Sequence, residues 1–270
     1  MTTRRKLLVQ AASLGGAVAA SSASALGSTK RHGASRASKS RDFVLVHGAF
    51  HGGWCYRRVA DILRAQGHRV YPPTLTGLGE RSHLAGFAIN CSKHIQDVIN
   101  VIQWERLHDV ILCGHSYGGF VIAGVADALP QSISALAYLD CALPENGKSV
   151  FDLYPEIQAP FLAATREYGG FLMKPLAAKA FNVNAADQEM VDALLTPHPL
   201  ASFCEPLKLT GAYMRIAQKV YVQAKNPGGA LPVPVRVGED PGWHVFEIPS
   251  GHDVMIDAPA ALADVFLSIV

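Results

Sequence analysis

One stretch constrains this chain more than any other: Val110-Ile-Leu-Cys-Gly114-His-Ser116-Tyr-Gly118-Gly119-Phe-Val-Ile-Ala123. An apolar run ends at a glycine, a serine follows two positions on, and small and apolar residues then repeat at helical spacing. The pattern reads as strand, sharp turn and helix with G-x-S-x-G at the corner. A serine on such an elbow sits in a strained backbone with its Oγ exposed at the C-terminal end of the strand. Side chains at Gly114 and Gly118 would collide with the neighbouring strand and helix, so both positions demand glycine. The helix that follows points its positive end at any oxyanion formed beside the serine.

The rest of the chain supplies a framework for that elbow. Apolar runs at 43–47, 68–71, 109–113, 133–139, 219–224 and 244–249 read as strands. Amphipathic or apolar helical patterns lie at 56–66, 92–104 and 259–270, and 74–87 reads as a loop. Strands alternating with helices predict an α/β fold, a parallel sheet covered on both faces, with chemistry at the C-terminal strand ends. The alternation lapses between about 145 and 215, where Phe151, Tyr154, Phe161 and Phe171 punctuate short helical pieces. That insertion is expected to be a small helical lid with apolar walls. The five cysteines form no C-x-x-C pair, so neither a metal site nor a disulfide framework is implied.

Charge separates the start of the chain from the remainder. Eight of the 24 Lys and Arg residues lie within 1–41, leaving 16 against all 22 Asp and Glu from Asp42 onward. A mildly acidic folded part argues against a nucleic-acid surface. Arg4-Arg5 followed by a modestly apolar stretch and Ala23-Ser24-Ala25 reads as a twin-arginine export signal over 1–25, which places the protein in the periplasm or outside the cell. The apolar stretch is too short for a stable membrane span. Residues 26–41 read as a flexible linker, and 42–270 as one catalytic domain.

Every suspicious polar residue falls near a strand end. His252, after the last strand, is the general-base candidate, because a serine is a poor nucleophile until a neighbour takes its proton. Asp140 ends the strand after the nucleophile's own and is the favoured partner for His252; Asp240 and Glu239 are the alternatives. Asp253 is next to the histidine in the chain and poorly placed to orient it. The loop His47-Gly48-Ala49-Phe50 supplies one oxyanion N–H, from Ala49 or Phe50, and Tyr117 the other. His47 and His51 stand four apart in a glycine loop rather than on a helix, so no zinc pair is read there. His115 reads as structural. Glu80, Arg81 and His83 read as an ion-paired loop or as part of the site entrance.

Taken together, Val44–Trp54, Gly114–Gly119 and Tyr138–Gly147 resemble the α/β-hydrolase superfamily across nearly all of 42–270. Within it they look like the branch of plant methyl-ester esterases, hydroxynitrile lyases and bacterial relatives of both. Pro73–Arg81 and Gly251–Met255 are similar to the bacterial esterases in particular. The resemblance implies an α/β-hydrolase fold: a mostly parallel sheet of about six strands, flanked by helices, with a small lid. It carries Ser116, His252 and the Ala49 and Tyr117 amides onto this chain, and leaves the acid open. Plant members carry theirs after the strand matching 219–224, where Pro227 stands here, whereas other branches use the position of Asp140. Hydroxynitrile lyases of the branch lack the glycine found at Gly48 and place a lysine where Asp253 stands, which counts against cyanohydrin cleavage.

The expectation is a cofactor-free serine carboxylesterase acting on a small to medium hydrophobic ester through an acyl-enzyme. Rival readings are a lactonase, a C–C bond hydrolase or hydroxynitrile lyase with the same triad, and a non-catalytic binding protein of the same fold.

Overall fold

In the computed structural model, six strands lie side by side, all parallel, in the order β2-β1-β3-β4-β7-β8. They are β1 (Asp42–Val46), β2 (Arg69–Tyr71), β3 (Val110–His115), β4 (Ile133–Leu139), β7 (Gln218–Ala224) and β8 (Trp243–Ile248). The structure describes residues 40–269 apart from Ala142, 227–233, 235, 236 and Glu239. The export signal and all but the last two residues of the linker lie outside the described residues, as does Glu239. The last linker residue already belongs to the fold: the Arg41 amide donates to His68 Nδ1 at 3.2 Å and its carbonyl accepts from Arg69.

The continuous apolar runs are explained by burial on both faces of the sheet. In β1, Val44 and Val46 face one core layer while Phe43 and Leu45 face the other. The first layer is covered by α2 (Cys91–Trp104) and α3 (Gly118–Ala128), the second by α1 (Arg57–Ala65), α8 (Val254–Asp257) and α9 (Pro259–Ser268). Asn90 caps α2 by accepting from Lys93 N at 3.0 Å.

The insertion is less purely helical than its composition suggests. Between α5 (Pro155–Ala164) and α7 (Ala201–Cys204), Leu172–Met173 (β5) pairs antiparallel with His198–Pro199 (β6). The stretch 74–87 also contains a 3-10 turn at Gly79–Leu84. There Arg81 donates to the Thr74 carbonyl and reaches Asp97, so the polar residues of this loop brace it.

Topology fixes where a site can form. The chain runs from β1 outward to β2, then returns to β3 on the other side of β1. The ends of β1 and β3 therefore lie at the switch point of the sheet, where their connections diverge and leave a crevice.

Candidate active site

Ser116 follows β3 at that crevice with φ +51°, a left-handed backbone rarely adopted by residues other than glycine. Sterics force the corner. A Cβ at Gly114 would lie 2.5 Å from the Gly118 carbonyl oxygen, and one at Gly118 would lie 2.7 Å from that of Val46. A Cβ at Gly48, just after β1, would lie 3.1 Å from Ser116 Cβ. The two loops at the switch point thus touch. The Ser116 amide donates to the Leu139 carbonyl at 3.0 Å, which ties the elbow to the end of the next strand.

Asp140 comes directly after that carbonyl and is fully buried, also with positive φ, +42°. Its Oδ2 accepts from His252 Nδ1 at 2.6 Å, and its Oδ1 accepts from the Ala224 amide at 3.3 Å. The carboxylate therefore selects the His252 tautomer with Nε2 unprotonated, the form a base requires. His252 is itself held by its amide, which donates to the Phe181 carbonyl at 2.9 Å. A side chain at the preceding Gly251 would strike the Asn182 carbonyl. Asp240 is nowhere near: it precedes Trp243, which pairs with Lys219 at the opposite end of the sheet, and its Oδ1 caps the Gly242 amide at 2.8 Å. Among the described residues Ser116 and His252 share no hydrogen bond.

The oxyanion candidates separate. Phe50 N–H is already committed, donating to His198 Nδ1 at 3.3 Å, which removes it from the pair proposed on sequence. Ala49 and Tyr117 N–H have no hydrogen-bond partner among the described residues. The peptide that carries the Ala49 N–H is fixed from behind. Its carbonyl, that of Gly48, accepts from His47 Nδ1 at 2.8 Å, while His47 Nε2 accepts from the Leu75 amide at 3.1 Å. Those two bonds require neutral His47, and burial lowers its pKa to about 3. The next peptide is held at both ends, its carbonyl by His51 Nδ1 at 2.8 Å and its N–H by His198. Phe50 keeps its left-handed φ of +68° under these restraints, and its carbonyl accepts from Thr196 in the lid at 2.9 Å.

Tyr117 offers only its amide to the crevice. Its ring is buried and stacks on Phe203 at 5.3 Å, and its hydroxyl donates to His94 Nδ1 at 2.8 Å. Phe161, from lid helix α5, packs 5.9 Å from Phe50 and 5.8 Å from Phe203, centroid to centroid. Phe181 stacks on the His252 ring at 5.9 Å.

Sequence reasoning missed three residues that fix the loop carrying Ala49: His47, His51 and His198. For His47 the signal was available, since it stands immediately before the loop it orients. His198 lies 148 positions from Phe50 and offered none.

Residues 43–265 match the alpha/beta hydrolase family. The chain belongs to the alpha/beta hydrolase family. Among its relatives is a carbendazim hydrolyzing esterase of Nocardioides sp. (strain SG-4G), 45% identical over 83% of this chain and 97% of that protein. Esterase PIR7B of Oryza sativa subsp. japonica is 27% identical over 86% of this chain and 96% of its own length. A solved extracellular alpha/beta-hydrolase from a Paenibacillus species superposes with a TM-score of 0.74 at 24% identity, covering 85% of this chain and 98% of that one; it supports the fold. With an esterase matching nearly end to end at this identity, this alpha/beta hydrolase is a carboxylic ester hydrolase.

Proposed function

We propose that Ser116 is the nucleophile, His252 the general base and Asp140 the residue that orients it. Ser116 Oγ attacks the ester carbonyl as His252 Nε2 takes its proton, and the tetrahedral oxyanion is bound by the Ala49 and Tyr117 amides. His252 then protonates the departing alcohol. Water repeats the sequence on the acyl-enzyme and returns the acid. The observation that carries this reading is the 2.6 Å bond between His252, which follows β8, and Asp140, which ends the strand next to the one leading into the left-handed Ser116.

The substrate is a small to medium hydrophobic carboxylic ester. Supporting it is the aromatic wall in which Phe161 of the lid packs on Phe50 and Phe203. The 45% identical relative makes carbendazim a compound to assay beside p-nitrophenyl acetate and butyrate. A fluorophosphonate should label the purified protein at one site per chain, with Ser116 carrying the adduct in the peptide digest and turnover ceasing in proportion. A folded protein that turns over none of these compounds and stays unlabelled would return it to the binding-protein reading.

Export is the second part of the proposal and rests on Arg4-Arg5 and the small-residue site that follows. Changing both arginines to lysine should leave the protein in the cytoplasmic fraction of a bacterium with a twin-arginine pathway; unchanged export would reject that route.

A further inference from the structure

Asp253 follows the proposed base directly and stands at the N-cap of α8, yet its side chain caps nothing. It turns into the protein, fully buried, and its Oδ2 accepts from His51 Nε2 at 3.0 Å. The other nitrogen of His51 lies 2.8 Å from the Ala49 carbonyl. A carbonyl and an ionised carboxylate can only accept, so both ring nitrogens carry protons and His51 is an imidazolium. Burial alone would lower its pKa; attraction to Asp253 and the two hydrogen bonds raise it instead. A second imidazole completes the cluster. His115 Nε2 donates to the His252 carbonyl at 3.0 Å and lies 3.9 Å from Asp253 Oδ1, which has no hydrogen bond of its own.

The consequence is topological. Asp253 is covalently next to His252, and His51 is two residues from Ala49. One buried ion pair therefore joins the loop carrying the base to the loop carrying the oxyanion N–H, across 202 positions of sequence. Among the described residues no other side-chain hydrogen bond joins those two loops. Burying two charges is costly, and replacing such a pair with apolar residues is often neutral or stabilising. Stability is thus a poor explanation for its presence, and geometry a better one.

We propose that His51 and Asp253 are positioning residues, an ionic tie that sets the Ala49 amide relative to the His252 ring for the transition state. The proposal rests on the triad reading above. His51 acts by holding the carbonyl of the Ala49–Phe50 peptide, whose N–H His198 holds from the other side. Releasing it frees the loop to swing the Ala49 N–H out of line, an interaction realised mainly in the transition state.

The test is the double variant His51→Phe/Asp253→Leu, which removes both charges and keeps volume, with folding checked by circular dichroism. With p-nitrophenyl butyrate, kcat should fall roughly 100-fold, the scale of losing one oxyanion donor, with KM within about threefold. Affinity for a trifluoromethyl ketone, whose adduct carries the oxyanion, should fall in parallel with kcat/KM. Asp253→Asn alone should lose about as much as the double variant, because the two residues act as a unit; it also serves if the double variant does not fold. A folded variant with kcat within threefold of wild type, or with the loss confined to KM, overturns the proposal. Failure of fluorophosphonate to label the wild type would instead remove the triad reading on which it stands.

Discussion

Asp140→Asn should lower kcat by about 10⁴-fold with KM little changed, and Ser116→Ala by about 10⁶-fold, whereas Asp240→Asn should stay within about twofold of wild type. The first loss is one of tautomer. Asp140 Oδ2 accepts a hydrogen bond from His252 Nδ1 at 2.6 Å, which keeps the proton on Nδ1 and leaves Nε2 free to accept one from Ser116. An asparagine amide in the same place donates to Nδ1 and drives the proton to Nε2, so the ring can no longer act as a base. The fold should survive, since asparagine matches the volume and its oxygen can still accept from the Ala224 amide. Asp240 is separated from the site by the length of β8, about 17 Å at strand rise, and serves only its own turn. Steady-state kinetics of the three variants with p-nitrophenyl butyrate decide the matter. Loss of activity in Asp240→Asn with retention in Asp140→Asn would reverse the assignment.

What was legible in the sequence was what local sterics or strand order dictate. G-x-S-x-G with a strand before it allows little besides an elbow, because Gly114 and Gly118 have backbone where a Cβ would be. The placing of Asp140 beside the elbow was legible because it ends the strand adjoining β3, and in a parallel sheet neighbouring strand ends meet. Which of the Ala49 and Phe50 amides is already hydrogen-bonded was not, since that turns on a bond from Phe50 to His198, a residue of the lid whose position no local pattern reveals. The same holds for Asp253. Beside the base in the chain, it reads as a poor orienter of His252, and its carboxylate is hydrogen-bonded instead to His51, 202 positions away. The β5–β6 pair escaped because two-residue strands, one of them His198–Pro199, have no periodicity to read.

Acid should unfold this protein early. Between pH 7.5 and 5.5 its unfolding free energy should fall on the order of 5 kcal/mol, comparable with the whole stability of many domains. Four buried imidazoles set the sign. Burial lowers the pKa of His47 to about 3 and of His94 to about 4, and pushes those of His115 and His198 well down. Hydrogen bonds agree in three of them: the unprotonated nitrogen already accepts, from the Leu75 amide in His47, the Tyr117 hydroxyl in His94 and the Phe50 amide in His198. A second proton would set donor against donor in a dry site. The unfolded chain binds protons at an ordinary 6.5 while the native state refuses them, so stability is unaffected above that value and falls below it. Each imidazole contributes about 1.4 kcal/mol one pH unit below 6.5. His51 runs the other way. Already protonated in the native state, it offsets part of the acid loss: its own contribution is complete below 6.5 and lost as pH rises through its raised value. Urea titrations at pH 7.5, 6.5 and 5.5 measure the slope. His94→Gln, which can still donate to the Thr76 carbonyl and accept from Tyr117, should remove about a quarter of it. An unfolding free energy that stays level down to pH 5.5 would mean that these imidazoles take up protons without leaving the fold.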